Sequence, residues 1–129
     1  MPSQIFWVND EKTLIYHLYS GDVTADDYYY VIDNNEAMVR SVNHTVNVIL
    51  DRRGVISSPS NLSRVMRYAN NHIPDNQGIR VVVGAALMTK VMVDAGRMLA
   101  PRLVKDVYFA ESLEEAHDLI AARTQAATT

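Results

Sequence analysis

The residues with the most chemistry to offer lie together between Asp51 and Leu62. They run Asp51-Arg52-Arg53, then Gly54-Val55-Ile56, then Ser57-Ser58-Pro59-Ser60-Asn61-Leu62. An aspartate beside two arginines supplies an ion pair or a hydrogen-bonded brace. The serines and the asparagine supply side-chain oxygens that turn a chain, cap a helix or, as serine, accept a phosphate. A serine at the start of a helix would set an added phosphate against free amides and the positive end of the dipole. The structural account is turn chemistry with an N-cap at Ser60. The functional account is a phosphorylated or partner-reading loop made of Asp51, Arg52, Arg53, Ser57, Ser58, Ser60 and Asn61.

Other combinations carry less. The 4 histidines, His17, His44, His72 and His117, stand singly, and no pair has the spacing that brings two imidazoles onto one metal. The absence of cysteine excludes thiolate zinc sites, iron–sulfur clusters, disulfides and cysteine nucleophiles together. Asp26-Asp27 and Glu114-Glu115 fall in first turns of expected helices, where the dipole explains them, and sequence neighbours on a helix point apart. Gly84 follows a strand and opens a helix, yet Gly84-Ala85-Ala86-Leu87-Met88-Thr89-Lys90 lacks the further glycines of a dinucleotide site and the lysine spacing of a phosphate loop. Asp51 ends a strand as a receiver aspartate does, but Tyr19-Ser20-Gly21-Asp22 has no acidic pair and Lys105 comes too early. No metal, cofactor or catalytic constellation is expected. The tyrosines at 28–30 and the 6 methionines read mainly as core and rim, although Met88, Met92 and Met98 on one helix would make that surface adaptable where it faces a ligand or partner.

The chain that must position these groups has 129 residues, 48% of them hydrophobic and 21% charged, which suits one domain burying about two-thirds of its unfolded surface. Its net charge of -3 lacks the basic stripe that phosphate backbones require, so nucleic acid is not an expected partner. No apolar run is long enough to span a membrane, and Met1–Asp10 lacks a leader pattern, so a cytoplasmic location is expected.

Ile5–Val8 and Thr13–Tyr19, rich in β-branched and aromatic residues, predict a hairpin turned by Asn9-Asp10-Glu11-Lys12. In the second strand Leu14, Tyr16 and Leu18 share one face and Ile15, His17 and Tyr19 the other. Thr24 caps a helix running to about Val42, with Tyr28, Ile32, Val39 and Val42 inward and Asn35 interrupting the stripe. A strand over Thr45–Leu50 ends at Asp51, and Arg52–Ser60 reads as a loop. A helix then carries Leu62, Val65, Met66, Ala69 and Ile73 as far as Asn70-Asn71 and Pro74. Ile79–Val83 is a central strand covered on both faces. Leu87, Met88, Val91, Met92, Ala95, Met98 and Leu99 line a helix ending before Pro101, Leu103–Phe109 is the last strand, and Ser112 with Glu115 forms a capping box for a final helix bearing Leu113, Ala116 and Ile120. Residues 124–129 form a frayed tail to a core over 5–123. The order ββαβαβαβα predicts an α/β sandwich: a mixed five-stranded sheet, first strand antiparallel, with four helices. Ile49, Val65, Val82, Val91, Leu99 and Ile120 are expected in its core.

This order of elements, with Val48-Ile49-Leu50-Asp51 leading through Gly54-Val55 to serines before the next helix, resembles the STAS domains of anti-sigma-factor antagonists. Ile79-Arg80-Val81-Val82-Val83-Gly84, the methionine-rich helix, Val107-Tyr108-Phe109 and Ser112-Leu113-Glu114-Glu115-Ala116 resemble their SpoIIAA-like branch. The resemblance spans roughly residues 5–123. It implies a bacterial, non-enzymatic regulatory domain that binds a signalling protein, such as a kinase-like anti-sigma factor, through 52–60 and the following helix. In such antagonists a serine nine residues after the strand-ending aspartate is phosphorylated, and that position here is Ser60. Pro59, Asn61 and Leu62 replace the residues that usually flank it. Some domains similar to this one are linked to lipids, which implies the alternative of a carrier or sensor of a small apolar ligand, with Tyr28, Tyr29, Met88 and Met92 supplying its walls. The edge of the opening hairpin also offers a surface on which a homodimer could pair.

Overall fold

The computed structural model describes residues 3–84, 94 and 96–128. Its elements are β1 (Ser3–Trp7), β2 (Leu14–Asp22), α1 (Ala25–Arg40), β3 (Val46–Ser57), α2 (Leu62–Asn70), β4 (Gln77–Val83), α3 (Pro101–Val104), β5 (Val107–Ala110) and α4 (Leu113–Thr128); residues 96–99 ahead of α3 are also helical, so the short α3 is additional to the four helices expected. The strands lie side by side in chain order, β1 antiparallel to β2 and the others parallel.

Local chemistry places most boundaries where the residues ask for them. Asn9 holds the hairpin turn, accepting from the Thr13 amide at 3.0 Å and donating to its hydroxyl at 2.7 Å, while Lys12 takes the left-handed conformation at φ 57. Thr24 and Asp27 exchange hydrogen bonds in a full capping box. Ser112 caps α4 through the Glu115 amide at 3.1 Å, and the Glu115 carboxylate reaches back to the amide of Glu111.

Both faces of the sheet are covered. On the α4 face Leu14, Ile49, Val81, Val83 and Ala110 pack with Ala116, and Leu113 and Ile120 close over them. On the other face Ile15, Tyr19, Val48 and Val65 pack with Tyr28, Val31 and Val39 of α1. Ile49, Val65 and Val82 are buried as expected. Leu99 is exposed, which corrects its place in the core, and Val91 lies outside the described residues. Most of the methionine-rich helix, with Met88 and Met92, also lies outside them; residues 96–99 are helical and Met98 is exposed.

Two element assignments are corrected. Arg52–Ser57 is not a loop, because β3 continues beside the end of β2 with Ser20 opposite Gly54, Gly21 opposite Val55 and Asp22 opposite Ser57, across two register shifts. Gly21 supplies a left-handed residue at φ 68, and a side chain at Gly54 would stand 3.2 Å from the Ser20 Cβ. The residues that read as strand breakers are therefore bulge formers. Leu103–Phe109 is not one strand either. Pro101 starts a helical turn, whose Arg102 and Leu103 amides donate to the Asn70 side-chain oxygen at 2.7 and 3.0 Å, and only Val107–Ala110 joins the sheet.

Gly84 sits at φ 88, where an added Cβ would lie 2.8 Å from Arg53 Cα and 2.9 Å from Arg53 N. Gly84→Ala is expected to destabilise the protein by roughly 2 kcal/mol or more, from left-handed strain plus displaced backbone. Urea unfolding would read the change, and a difference below roughly 0.5 kcal/mol would contradict the tight approach of β3 to this turn.

Candidate functional site

Because β3 remains a strand, its side chains alternate, and the two arginines part. Asp51 and Arg53 belong to the α4 face. The Asp51 carboxylate accepts from the Arg53 amide at 3.1 Å, from Arg53 Nε at 3.0 Å and Nη2 at 2.8 Å, and from the Tyr16 hydroxyl. Burial would raise the Asp51 carboxyl, but the hydrogen bonds from Arg53 and Tyr16 outweigh it and hold the group below its ordinary value. Burial, with the Asp51 charge, pushes the Tyr16 hydroxyl up to about 12. Both carboxylate oxygens are engaged, so Asp51 acts as a brace at the end of the strand.

Arg52 goes to the opposite face. Its Nη1 donates to the Tyr28 hydroxyl at 2.7 Å and its Nη2 to the Ser58 hydroxyl at 3.1 Å, while Tyr28 and Ser58 share a hydrogen bond of 3.2 Å. The guanidinium also lies over the rings of Tyr19 and Tyr28, at 5.7 and 5.6 Å from their centroids. Ser57 is tied separately to Asp22 at 2.7 Å. The candidate residues from Asp51 to Ser58 thus form two arginine braces and a separate Ser57–Asp22 pair rather than one cluster.

Ser60 is exposed in the turn before α2, and the N-cap position belongs to Asn61, whose side chain makes no capping bond. This corrects the expected cap: the extended strand leaves residues 58–61 to make the turn, which starts the helix one residue later. Ser60→Ala is therefore expected to change stability by less than roughly 0.5 kcal/mol, where a true cap serine would cost about 1 kcal/mol. A thermal melt distinguishes the two, and a loss of cap size would restore Ser60 to the capping role.

Behind the Arg52 brace, between the sheet and α1, α2 and α3, lies a cavity of about 190 Å³. Leu50, Leu62, Val65, Met66, Ala69, Val82, Leu103 and Val107 make its apolar lining, and Arg52, Tyr28 and Tyr19 also line it. Tyr28 therefore faces the cavity. Tyr29 does not line the cavity but packs edge-on against Tyr68 at 4.9 Å.

Polar groups sit in this apolar setting. His17 is 7% exposed, and its Nε2 meets Asn35 Oδ1 at 3.0 Å, while the Asn35 amide donates to Gln77 Oε1 at 2.7 Å. Asn35, expected to interrupt the inward stripe of α1, is part of it. Burial lowers the His17 pKa to about 4, against the smaller opposing effect of Asn35, so the ring is neutral near pH 7. Arg80, on the same face, is 6% exposed; its Nη2 donates to the carbonyls of Arg102, at 3.2 Å, and Lys105. Among the described residues its buried Nε and Nη1 have no hydrogen-bond partner, nor does His17 Nδ1. Burial lowers the guanidinium to about 10 although the charge of Asp106 opposes the shift. The sequence signal for this site is an arginine, Arg80, inside the otherwise apolar run Ile79–Val83.

Among the described residues no cluster of histidine and carboxylate side chains could hold a metal ion, and no helix is long and apolar enough to cross a membrane. No family profile and no curated protein matches the sequence. Among solved structures, the chain is similar to the crystal structure of an uncharacterized protein from the DUF3478 family with a SpoIIAA-like fold from Shewanella loihica PV-4. The TM-score is 0.65 at 11% identity, covering 91% of this chain and 94% of that one. With its mixed five-stranded sheet in sequential order, the chain has a SpoIIAA-like fold.

Proposed function

We propose that this protein is a non-enzymatic regulatory module of the cytoplasm that engages a protein partner through residues 52–61 and the exposed side of α2, and whose partner-facing edge reads the occupancy of the cavity behind it. One observation carries the proposal: Arg52 and Tyr28 line the cavity and both hydrogen-bond Ser58 on the surface. A ligand that moves either side chain must remake the Ser58 contact, which couples a small apolar ligand to the outer surface without a catalytic step. Ile56, 80% exposed on the same stretch, supplies an apolar contact for the partner. Ser60, exposed just before α2, is the position at which a phosphate would add roughly -1.5 to -2 charges to that surface and favour release. A signalling protein of the kinase-like anti-sigma type is the kind of partner that the fold supports.

The test is photo-crosslinking in the native host, with a photoreactive residue at Ile56 and, as control, at Glu114 on α4. The expected result is a discrete crosslinked product from position 56 that is absent from position 114 and diminished by Ser60→Asp. Equal labelling from both positions would refute the assignment of the surface.

A further inference from the structure

We infer that the cavity takes a small apolar carboxylic acid, with Arg80 as the anchor for its carboxylate. The inference rests on the reading of the cavity as a ligand site and adds the chemistry of the ligand. Buried donors are nearly always paired, and an unpaired donor on a charged group is the most costly kind. Arg80 is 6% exposed, lines the cavity, and has two donors, Nε and Nη1, that meet no acceptor among the described residues. Its other contacts are the backbone carbonyls of Arg102 and Lys105, which hold the guanidinium in place without neutralising it.

The charges around Arg80 decide the sign of the ligand. Arg102 adds positive charge, Asp106 offsets part of it without a hydrogen bond, and His17 is neutral. An ammonium would meet repulsion, and an alcohol would leave the guanidinium uncompensated. A carboxylate supplies both acceptors and countercharge. Most of the remaining lining selects an apolar body: Leu50, Val65, Ala69, Val82, Leu103 and Val107 offer no hydrogen bond from their side chains, and of the polar lining residues His17, Asn35 and Gln77 are bonded to one another and Arg52 to Tyr28. A free phosphate or a sugar acid would leave most of its polar groups unmatched. An apolar cavity of about 150 Å³ holds benzene, so the about 190 Å³ here suits an acid with roughly six to eight carbons.

The experiment is isothermal titration of the full chain at neutral pH with octanoate, octanol and octylamine, on wild type, Arg80→Met and Arg80→Lys. Octanoate is expected to bind saturably and at least tenfold more tightly than octanol, with octylamine weakest. Arg80→Met should reduce octanoate to the level of octanol while leaving octanol unchanged, and Arg80→Lys should keep part of the preference. If Arg80→Met does not fold, the preference of the wild type and its partial retention in Arg80→Lys decide the matter. Equal binding of octanoate and octanol by wild type, or a preference undiminished in Arg80→Met, overturns the carboxylate anchor and leaves the apolar-ligand reading standing. Failure of all three probes to bind overturns both.

Discussion

Val81→Asp is expected to leave no cooperatively folded protein. Val81 is 0% exposed on β4, which is flanked by β3 and β5, and its side chain packs with Leu14, Ile49 and Ala116 under α4. No cation lies in that cluster, so the carboxylate would be buried unpaired or would have to tear α4 from the sheet. Either route costs several kcal/mol, roughly 3–5, out of a total near 5–15 kcal/mol for a domain. Val82→Asp is the informative comparison. Val82 lies on the other face, two residues from Arg80 and lining the same cavity, so a carboxylate there has a guanidinium with free donors within its own row. Thermal melting by circular dichroism should find Val81→Asp unfolded and Val82→Asp folded or less impaired. The reverse order would show that the two faces of β4 are wrongly assigned.

The second large effect is acid lability set by His17. In the unfolded chain this imidazole titrates near 6.5, whereas in the folded protein burial lowers it to about 4. Between those values the unfolded state binds a proton that the native state refuses, so stability rises with pH. The full stability is present above pH 6.5, and about 3 kcal/mol is lost as pH falls to 4. Asp51, whose carboxyl is held below its ordinary value, adds its own loss only at still lower pH. Urea unfolding at pH 7, 5.5 and 4.5 should show the decline, and His17→Phe should flatten it. Equal stability at pH 7 and 4.5 in the wild type would contradict a buried, neutral His17.

The fold was legible wherever one physical signal dominated. The β-branched runs at Val46–Leu50 and Ile79–Val83 mark central strands, the alternation in Leu14–Tyr19 assigns residues to the correct faces, and the sequence Ser112 to Glu115 starts the last helix. Arg52–Ser57 was not legible, because glycines that break an isolated strand also permit two strands to pair through bulges, and only the presence of β2 alongside decides between these. That one extension also sends Arg52 and Arg53 to opposite faces and moves the helix start past Ser60. The cavity was hidden for a different reason. His17, Asn35 and Arg80 come from three elements and share a site only once the register is set, so no local spacing announces them. Tyr28 was read from its type and helical position; its partnership with Arg52 and Ser58 joins residues 24 and 30 positions away.

The central claim, that the surface at 52–61 reads the cavity, is tested most directly by following backbone amide shifts during titration with octanoate. Saturable changes should appear at Leu50, Val65 and Ala69, which line the cavity, and at Ser57, Ser58, Ser60 and Asn61 with the same dissociation constant; Arg52→Ala combined with Tyr28→Phe should keep the first set and lose the second. Cavity amides that saturate while those of Ser57, Ser58, Ser60 and Asn61 stay unmoved would contradict the link.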